Sequence, residues 1–371
     1  MTNKYGIYVH IPFCKARCGY CAFSSCTDYP LAPQYFDKLF DEIDFYADKS
    51  VEISTIYIGG GTPSSVDKNL INDLFDKLRA NFDLSKVTEV TVECNPESVT
   101  EELLRCLKAN GVNRLSFGLQ SVNDTTLKRI GRLHGYAQFE GALKLARQLG
   151  FDNLSADLIL GLPESKNDFL NSVKTVTDLG LKHVSIYALE LHEGTALFKQ
   201  NNGQNFYDED ALADMYDEAC ALLEKGGLHR YEISNFSDMG WESKHNLNYW
   251  TEGRYFAFGA AASGFVGDVR YTNPYEITRY LSTPTRLLHN DCETLSNDEQ
   301  ANEFVMLGLR LIDGISLDGF NARFGFDFFK FFPNAERLAS QNFLRVEKGR
   351  VKVPCDKLYV VNSILVELLN L

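Results

Sequence analysis

The sequence predicts an α/β protein: a parallel sheet built from successive strand–helix units, followed by a smaller helical module that contains a hairpin. Two observations carry this. Short apolar, β-branched runs alternate with amphipathic stretches of helical period through the first half of the chain. Glycine follows three of those stretches, at Gly111, Gly150 and Gly180, where a helix end calls for a residue that tolerates the left-handed region. Six such units suit either an open doubly wound sheet or an incomplete (β/α) barrel, and periodicity does not choose between them.

The strand signals fall at 6–10, 54–58, 89–93, 114–120, 155–160 and 184–189. The helical stretches fall at 35–47, 68–81, 101–110, 136–149 and 168–179; Leu103, Leu104 and Leu107, for example, share one helix face. Leu158-Ile159-Leu160 reads as a strand covered on both faces, as a parallel sheet requires. These elements make a first unit over 1–200. A middle region over 201–294 has a helix near 210–225 and an aromatic-rich stretch over 241–258. The last unit, 295–371, opens with Ser296 or Asn297 as a helix cap for a helix over 302–311. It continues with helices at 317–324 and 328–341, a hairpin around Lys348-Gly349-Arg350, and a final helix from about 358. This is a winged-helix-like arrangement.

Hydrophobic residues make up 44% of the 371 residues, ordinary for a globular chain with a sizeable core. The net charge of −13 argues against a nucleic-acid partner, which needs basic stripes. No stretch approaches the roughly 20 apolar residues of a membrane span, and the first eight residues lack the apolar core of a secretory signal. A cytosolic location is the expectation, in which the nine cysteines are not disulfides.

Three cysteines cluster as Cys14-x3-Cys18-x2-Cys21 in the loop after the first strand. Iron–sulfur clusters usually take four cysteines. Three leave one iron open to bind and activate a ligand, and Cys26 is expected to stand aside. The spacing also fits a zinc site that adds His10. Further polar signals fall at the ends of later strands, where a barrel would place its active site. They are Gly59-Gly60-Gly61-Thr62-Pro63, Glu93, Gln120, Arg132 in Gly131-Arg132-Leu133-His134, and Asp157. Three glycines let a ligand approach the backbone. A carboxylate accepts from an amino or ribose hydroxyl group, and an arginine pairs with a carboxylate.

The run Tyr8-Val9-His10-Ile11-Pro12-Phe13-Cys14-x3-Cys18-x-Tyr20-Cys21-x-Phe23 resembles the radical S-adenosylmethionine (SAM) motif of the HemN-like family, in particular of its HemW heme chaperones. The resemblance covers nearly the whole chain. It implies an incomplete (β/α)6 radical SAM barrel with a C-terminal HemN-type module. It also implies a [4Fe-4S] cluster on Cys14, Cys18 and Cys21, an electron donor for that cluster, and reductive cleavage of SAM. Tyr8, Gly60, Gly61, Thr62, Glu93, Gln120, Arg132, Asp157 and Ala188 are the SAM-contacting residues it implies. His245-Asn246-Leu247-Asn248-Tyr249-Trp250 matches the HNxxYW motif associated with heme in the HemW family, which makes His245 the candidate heme ligand. The implied partners are heme and apo-haemoproteins of the respiratory chain.

The chain departs from HemN-type coproporphyrinogen III dehydrogenases at Phe23, where those enzymes carry a cysteine, and in having thirteen residues before Cys14. Both features set a chaperone reading ahead of an oxidoreductase of porphyrin biosynthesis. It also departs from the family's Gly-Pro-Gly-Ala-His-Ser pattern, with Gly259-Ala260-Ala261-Ala262-Ser263-Gly264 in its place.

Overall fold

The computed structural model describes residues 4–369. Six parallel strands stand in sequence order: β1 (Lys4–Ile11), β2 (Glu52–Gly60), β3 (Glu89–Cys94), β4 (Arg114–Gln120), β5 (Asn153–Leu160) and β6 (His183–Ala188). The connecting helices are α1 (Ala32–Tyr46), α2 (Lys68–Asn81), α3 (Glu101–Ala109), α4 (Asp124–Arg129), α5 (Tyr136–Gln148) and α6 (Lys166–Asp178). Helix α1 starts three residues before the expected 35, because a proline in its first turn suits the fixed φ there. Gly111, Gly150 and Gly180 end α3, α5 and α6 at φ +87, +78 and +65. Side chains from β2 to β6 meet around one cavity, so the sheet curls into an incomplete (β/α)6 barrel.

The middle region does not stand apart from this barrel. After α7 (Ala196–Gln200) and α8 (Glu209–Lys225), β7 (His229–Arg230) and β8 (Asn235–Ser237) extend the sheet beside β6, antiparallel. The chain then crosses through α9 (Lys244–Trp250) to the opposite edge. There β9 (Arg254–Phe258) pairs parallel with β1, and β10 (Ser263–Val266), β11 (Val269–Thr272) and, after α10 (Ile277–Ser282), β12 (Cys292–Thr294) follow antiparallel. Phe236, Phe256, Phe258 and Tyr280 share one buried cluster with Ile7 and Leu158, so the expected boundary at 200 does not divide the core. Strands of two to five residues carry too little alternation to be read in advance.

The C-terminal module has its own core, with Val305, Phe320, Phe328, Val351 and Leu365 buried together. Helix α11 (Asn297–Gly308) begins at Ser296, whose side chain and that of Glu299 exchange hydrogen bonds with each other's backbone N–H. Helix α12 (Leu317–Phe324) follows the short strand β13 (Ile315–Ser316). The expected helix over 328–341 is two, α13 (Phe328–Phe331) and α14 (Asn334–Ser340). Phe332, before Pro333, leaves helical geometry at φ −116 and ψ 78, as a residue preceding proline tends to. The hairpin joins β14 (Arg345–Glu347) to β15 (Arg350–Lys352) through Lys348 and Gly349, both at positive φ. That is the two-residue turn whose twist matches the strands. Helix α15 (Val361–Leu369) closes the module. Arg270 pairs with Glu303, and Arg323 with Glu252 at 2.6 Å, tying this module to the barrel. No helix among the described residues is long and apolar enough to cross a membrane.

Candidate functional site

A cavity of about 510 Å3 lies at the carboxyl ends of the parallel strands. Its wall is supplied by the loop after β1, the glycine turn after β2, and the ends of β3, β4, β5 and β6.

The loop after β1 is pinched at its base. Cys14 N–H donates to Cys26 O (2.9 Å) and Cys26 N–H to Pro12 O (2.7 Å), so residues 14–26 project as one closed loop. Its middle is tethered by Gly19, whose N–H donates to Ile130 O and whose carbonyl accepts from Leu197 N–H, each at 2.8 Å. Cys14, Cys18 and Cys21 all line the cavity as partly buried free thiols. Thr62 Oγ1 donates to Cys14 Sγ (3.4 Å), and Arg132 Nη1 to Cys18 Sγ (3.6 Å). Burial pushes the Cys14 thiol up to about 11 and raises that of Cys21. Cys26 does not line this cavity and accepts from Asp28 N–H at 3.3 Å. His10 is turned away from the thiols: its Nδ1 shares a hydrogen bond with Tyr8 (2.9 Å) and its Nε2 faces Ser24 O (3.2 Å). Among the described residues no three His, Cys, Asp or Glu side chains converge tightly enough for a single ion. The donor set on this loop is therefore the three thiols, and with both His10 nitrogens engaged elsewhere the zinc alternative lacks its histidine.

The glycine turn is fixed by what surrounds it. A Cβ at Gly61 would lie 2.7 Å from the Pro12 backbone, and one at Gly60 (φ +118) 2.8 Å from the His10 ring. The turn thus packs directly on the cysteine loop. Gly60 N–H donates to Glu93 Oε2 (3.1 Å), and Tyr57 OH to Glu93 Oε1 (2.8 Å). Burial, with Asp157 nearby, pushes the Glu93 carboxyl up to about 7, and the two donors offset this only in part. Ser116 Oγ bonds the Asp157 carboxylate at 3.2 Å; burial raises that carboxyl too. Arg132 donates through Nη2 to Asn95 Oδ1 (2.7 Å) and Gly118 O (2.6 Å), while its buried Nε has no protein partner. One N–H of a buried cation is left for a ligand's acceptor. Gln120 closes β4 at φ +72, after a register shift from Gly118, and this local strain turns its side chain into the cavity. These features fit the group the sequence implies: a cluster on three thiols, and beside it an amino acid with a carboxylate and an amine.

Gly60, Gly61, Thr62, Glu93, Gln120, Arg132, Asp157 and Ala188 all line the one cavity with the three cysteines. Two expected residues do not. Tyr8 stands behind Tyr57 with its hydroxyl on His10, so it supports the wall without facing the cavity. His245 is fully buried outside the cavity, with Nδ1 bonded to Thr55 Oγ1 and Nε2 to Tyr249 OH, each at 2.8 Å. In this conformation neither ring nitrogen is open to a heme iron, because α9 inserts its first turn into the barrel. Tyr20 of the cysteine run lines the cavity as well, and so do Tyr57, Asn95, Tyr187, Glu190 and His192, which are not among the expected site residues. Asn95 and Tyr57 were legible in part, each being within three residues of a strand-end signal.

A model of the radical SAM superfamily matches residues 8–176, and one of the HemN C-terminal domain matches residues 295–356. The heme chaperone HemW of Bacillus subtilis is 34% identical over 339 residues, covering 88% of this chain and 89% of that one. HemW of Lactococcus lactis is 36% identical over 351 residues, covering 93% and 92%. Among solved structures, coproporphyrinogen III oxidase (HemN) from Escherichia coli superposes with a TM-score of 0.83 at 22% identity, covering 98% of this chain and 89% of that one. That likeness speaks for the fold. With the cavity and its thiols in place, these relatives show that the chain belongs to the HemW family of radical SAM proteins.

Proposed function

We propose that this chain is a radical SAM protein that binds heme and passes it to apo-haemoproteins. In this reading Cys14, Cys18 and Cys21 hold a [4Fe-4S] cluster, and SAM occupies the cavity beside it. One observation carries the reading: three free thiols and eight strand-end or loop residues expected to meet SAM line the same cavity. Glu93 is placed to accept from the amino group of SAM, and the free Nε of Arg132 to donate to its carboxylate. Bound there, the cluster would supply an electron to the sulfonium. The chain's own part is to orient SAM and hold water away.

The heme part rests on the names of the relatives. The cavity mouth supports it by presenting Phe23, 68% exposed, and Tyr187, 43% exposed, as flat apolar surfaces against which a porphyrin can pack. Phe23 stands where an HemN-type dehydrogenase carries a cysteine, which favours the chaperone over the oxidoreductase.

The test is oxygen-free reconstitution with iron and sulfide, followed by parallel assays on one preparation. Expected are four irons per chain, a change in the reduced cluster's electron paramagnetic resonance (EPR) spectrum on adding SAM, saturable heme binding, and transfer of heme to an apo-haemoprotein. Turnover of coproporphyrinogen III without heme binding would reverse the assignment.

A further inference from the structure

The HNxxYW segment lies beneath the cavity, at the end of the barrel opposite its mouth, and its contacts run upward into the SAM site. We propose that His245 is a positioning residue for that site: its ring is the shelf on which Tyr57 holds Glu93 in place. This rests on the reading of the cavity as a SAM site and adds to it a role for the motif that does not involve heme iron.

The geometry begins at Glu89, the first residue of β3. Its two carboxylate oxygens accept from the N–H groups of Lys244 (2.9 Å) and His245 (3.0 Å), which fixes the first turn of α9 against the barrel floor. His245 then enters the barrel interior. A Cβ on Gly6 would lie 3.0 Å from its Cε1, so β1 has no side chain where the ring needs space. Nδ1 is bonded to Thr55 on β2. Thr55 and Tyr57 are two residues apart on one strand and so point to the same face. The His245 ring stacks on that of Tyr57, with centroids 5.3 Å apart and planes 29° apart. Tyr57 in turn donates to Glu93 at 2.8 Å.

Glu93 has two anchors, Tyr57 OH and Gly60 N–H, and the first is only as well placed as the ring beneath it. Burial lowers the imidazole to about 3, so the ring is neutral, with one donor nitrogen and one acceptor. Both find hydroxyl partners that can play either part. Turning the ring out to meet a metal would strand Thr55 and Tyr249 in the core. The tryptophan of the motif is used at the other end of α9. Arg310 of the C-terminal module lies 6.0 Å from the Trp250 ring, and the carbonyl of Trp250 packs on Gly308. Both ends of the motif are thus occupied in joining parts of the protein.

The experiment uses the full chain with its cluster reconstituted, comparing wild type with His245→Ala and His245→Phe. SAM affinity is read from the SAM-dependent change in the EPR spectrum of the reduced cluster, and heme binding from stoichiometry and Soret position. His245→Ala is expected to weaken SAM by roughly tenfold, the scale on which displaced supporting groups act. His245→Phe, which keeps a ring under Tyr57, recovers most of that loss. Heme stoichiometry and the Soret band stay as in wild type in both. Unchanged SAM affinity in His245→Ala, at equal cluster content, overturns the proposal; so does loss or shift of the Soret band in both variants, which would make His245 the heme ligand. If the alanine variant does not fold, Tyr249→Phe decides by the same EPR titration, since it removes one hydrogen bond and no ring: weakened SAM supports the shelf and wild-type affinity overturns it. A wild type that fails to respond to SAM sinks the cavity reading itself. A wild type that responds to SAM but takes up no heme sinks only the chaperone reading.

Discussion

The two ends of the barrel are built from the same kinds of side chain and behave differently. At the mouth, Glu93, Asp157 and Arg132 face a cavity, and Arg132 keeps an Nε without a protein partner. At the floor, Glu89, Arg114, His183, Tyr231 and His245 are buried against one another. Glu89 caps α9, Arg114 Nη2 meets His183 Nδ1 at 3.3 Å, and His183 Nε2 meets Tyr231 OH at 2.8 Å. Residue type therefore does not mark the site. What marks it is the open cavity in front of the polar groups: Arg132 and Arg114 each keep an Nε without a protein partner, and only Arg132 lines the cavity. A floor histidine bonded on both sides is a structural part, while a mouth arginine with a free N–H awaits a ligand.

The largest effect belongs to the mouth. On the proposed reading Cys14→Ala, Cys18→Ala or Cys21→Ala each removes one of three cluster ligands and is expected to abolish cluster retention, measured as iron per chain after anaerobic reconstitution. Cys26→Ala is the control that sharpens the comparison. Its sulfur lies outside the cavity and engages Asp28, so iron content should match wild type. A loss equal to that of Cys14→Ala would make Cys26 a fourth ligand and remove the open iron on which SAM binding depends.

The next effect belongs to the floor and leaves the site's chemistry alone. Glu89 is 3% exposed, and among the groups that offset the burial of the Arg114 charge it is the largest. Glu89→Ala takes the acceptor from the first two N–H groups of α9 and removes the largest of the charges that offset the burial of Arg114. The expected cost is about 1–3 kcal/mol, the range for leaving buried donors without an acceptor, read from the denaturant midpoint. The thiols should stay as reactive in the native state as before. A variant with wild-type stability would mean that the floor is not the mechanical base described here.

How much of this was legible follows the same division. The mouth could be read because its residues sit at strand ends and in loops, where polar residues among apolar runs stand out: Gly60, Thr62, Glu93, Gln120 and Asp157 were found that way. Arg114 and Glu89 could not, since a charged residue at the start of a strand normally reaches solvent. His245 is a candidate ligand through the HNxxYW resemblance, and a motif does not show which of its nitrogens the fold engages. Tyr231-Glu232-Ile233-Ser234-Asn235-Phe236 had no assignable role from sequence. In the fold it makes a floor contact through Tyr231 and supplies Asn235 and Phe236 to β8, between β6 and β7. The sheet's extensions were hidden by shortness. Pro333 is the residue that divides the expected helix over 328–341.

Glu93 tests the mouth by titration. Its carboxyl rises to about 7 in the fold from an ordinary 4.5. Between those values the folded chain binds more protons than the unfolded one, so this residue makes stability fall as pH rises from about 4.5 to about 7. Only the ionised form attracts an ammonium group strongly, so SAM affinity should strengthen as pH rises through about 7. Glu93→Gln should weaken SAM by roughly tenfold at neutral pH and flatten both dependences, as loss of a charge-assisted bond does. Calorimetric titrations at several pH values check this. A variant that keeps the wild-type slope would assign the titration to another group.

The smallest effect separates two kinds of backbone strain. Gln120 and Ala261, at the carboxyl ends of β4 and β9, take φ +72 and +61, while Glu252, between α9 and β9 at the floor, takes φ +53. An L-residue in this region costs roughly 1–2 kcal/mol relative to glycine. For Gln120 the strain puts a side chain into the cavity, and for Glu252 it places a carboxylate 2.6 Å from Arg323. Ala261 has only a methyl group, which gains neither. Ala261→Gly should therefore stabilise the chain by about 1 kcal/mol, seen as a higher denaturant midpoint, with iron content and SAM affinity unchanged. Glu252→Gly should destabilise it, because the loss of the Arg323 pair outweighs the relief of the same strain. If both glycine variants gained stability alike, the ion pair at the floor would be contributing nothing, and the contrast between a floor held by its own polar groups and a mouth left open for a ligand would fail at that point.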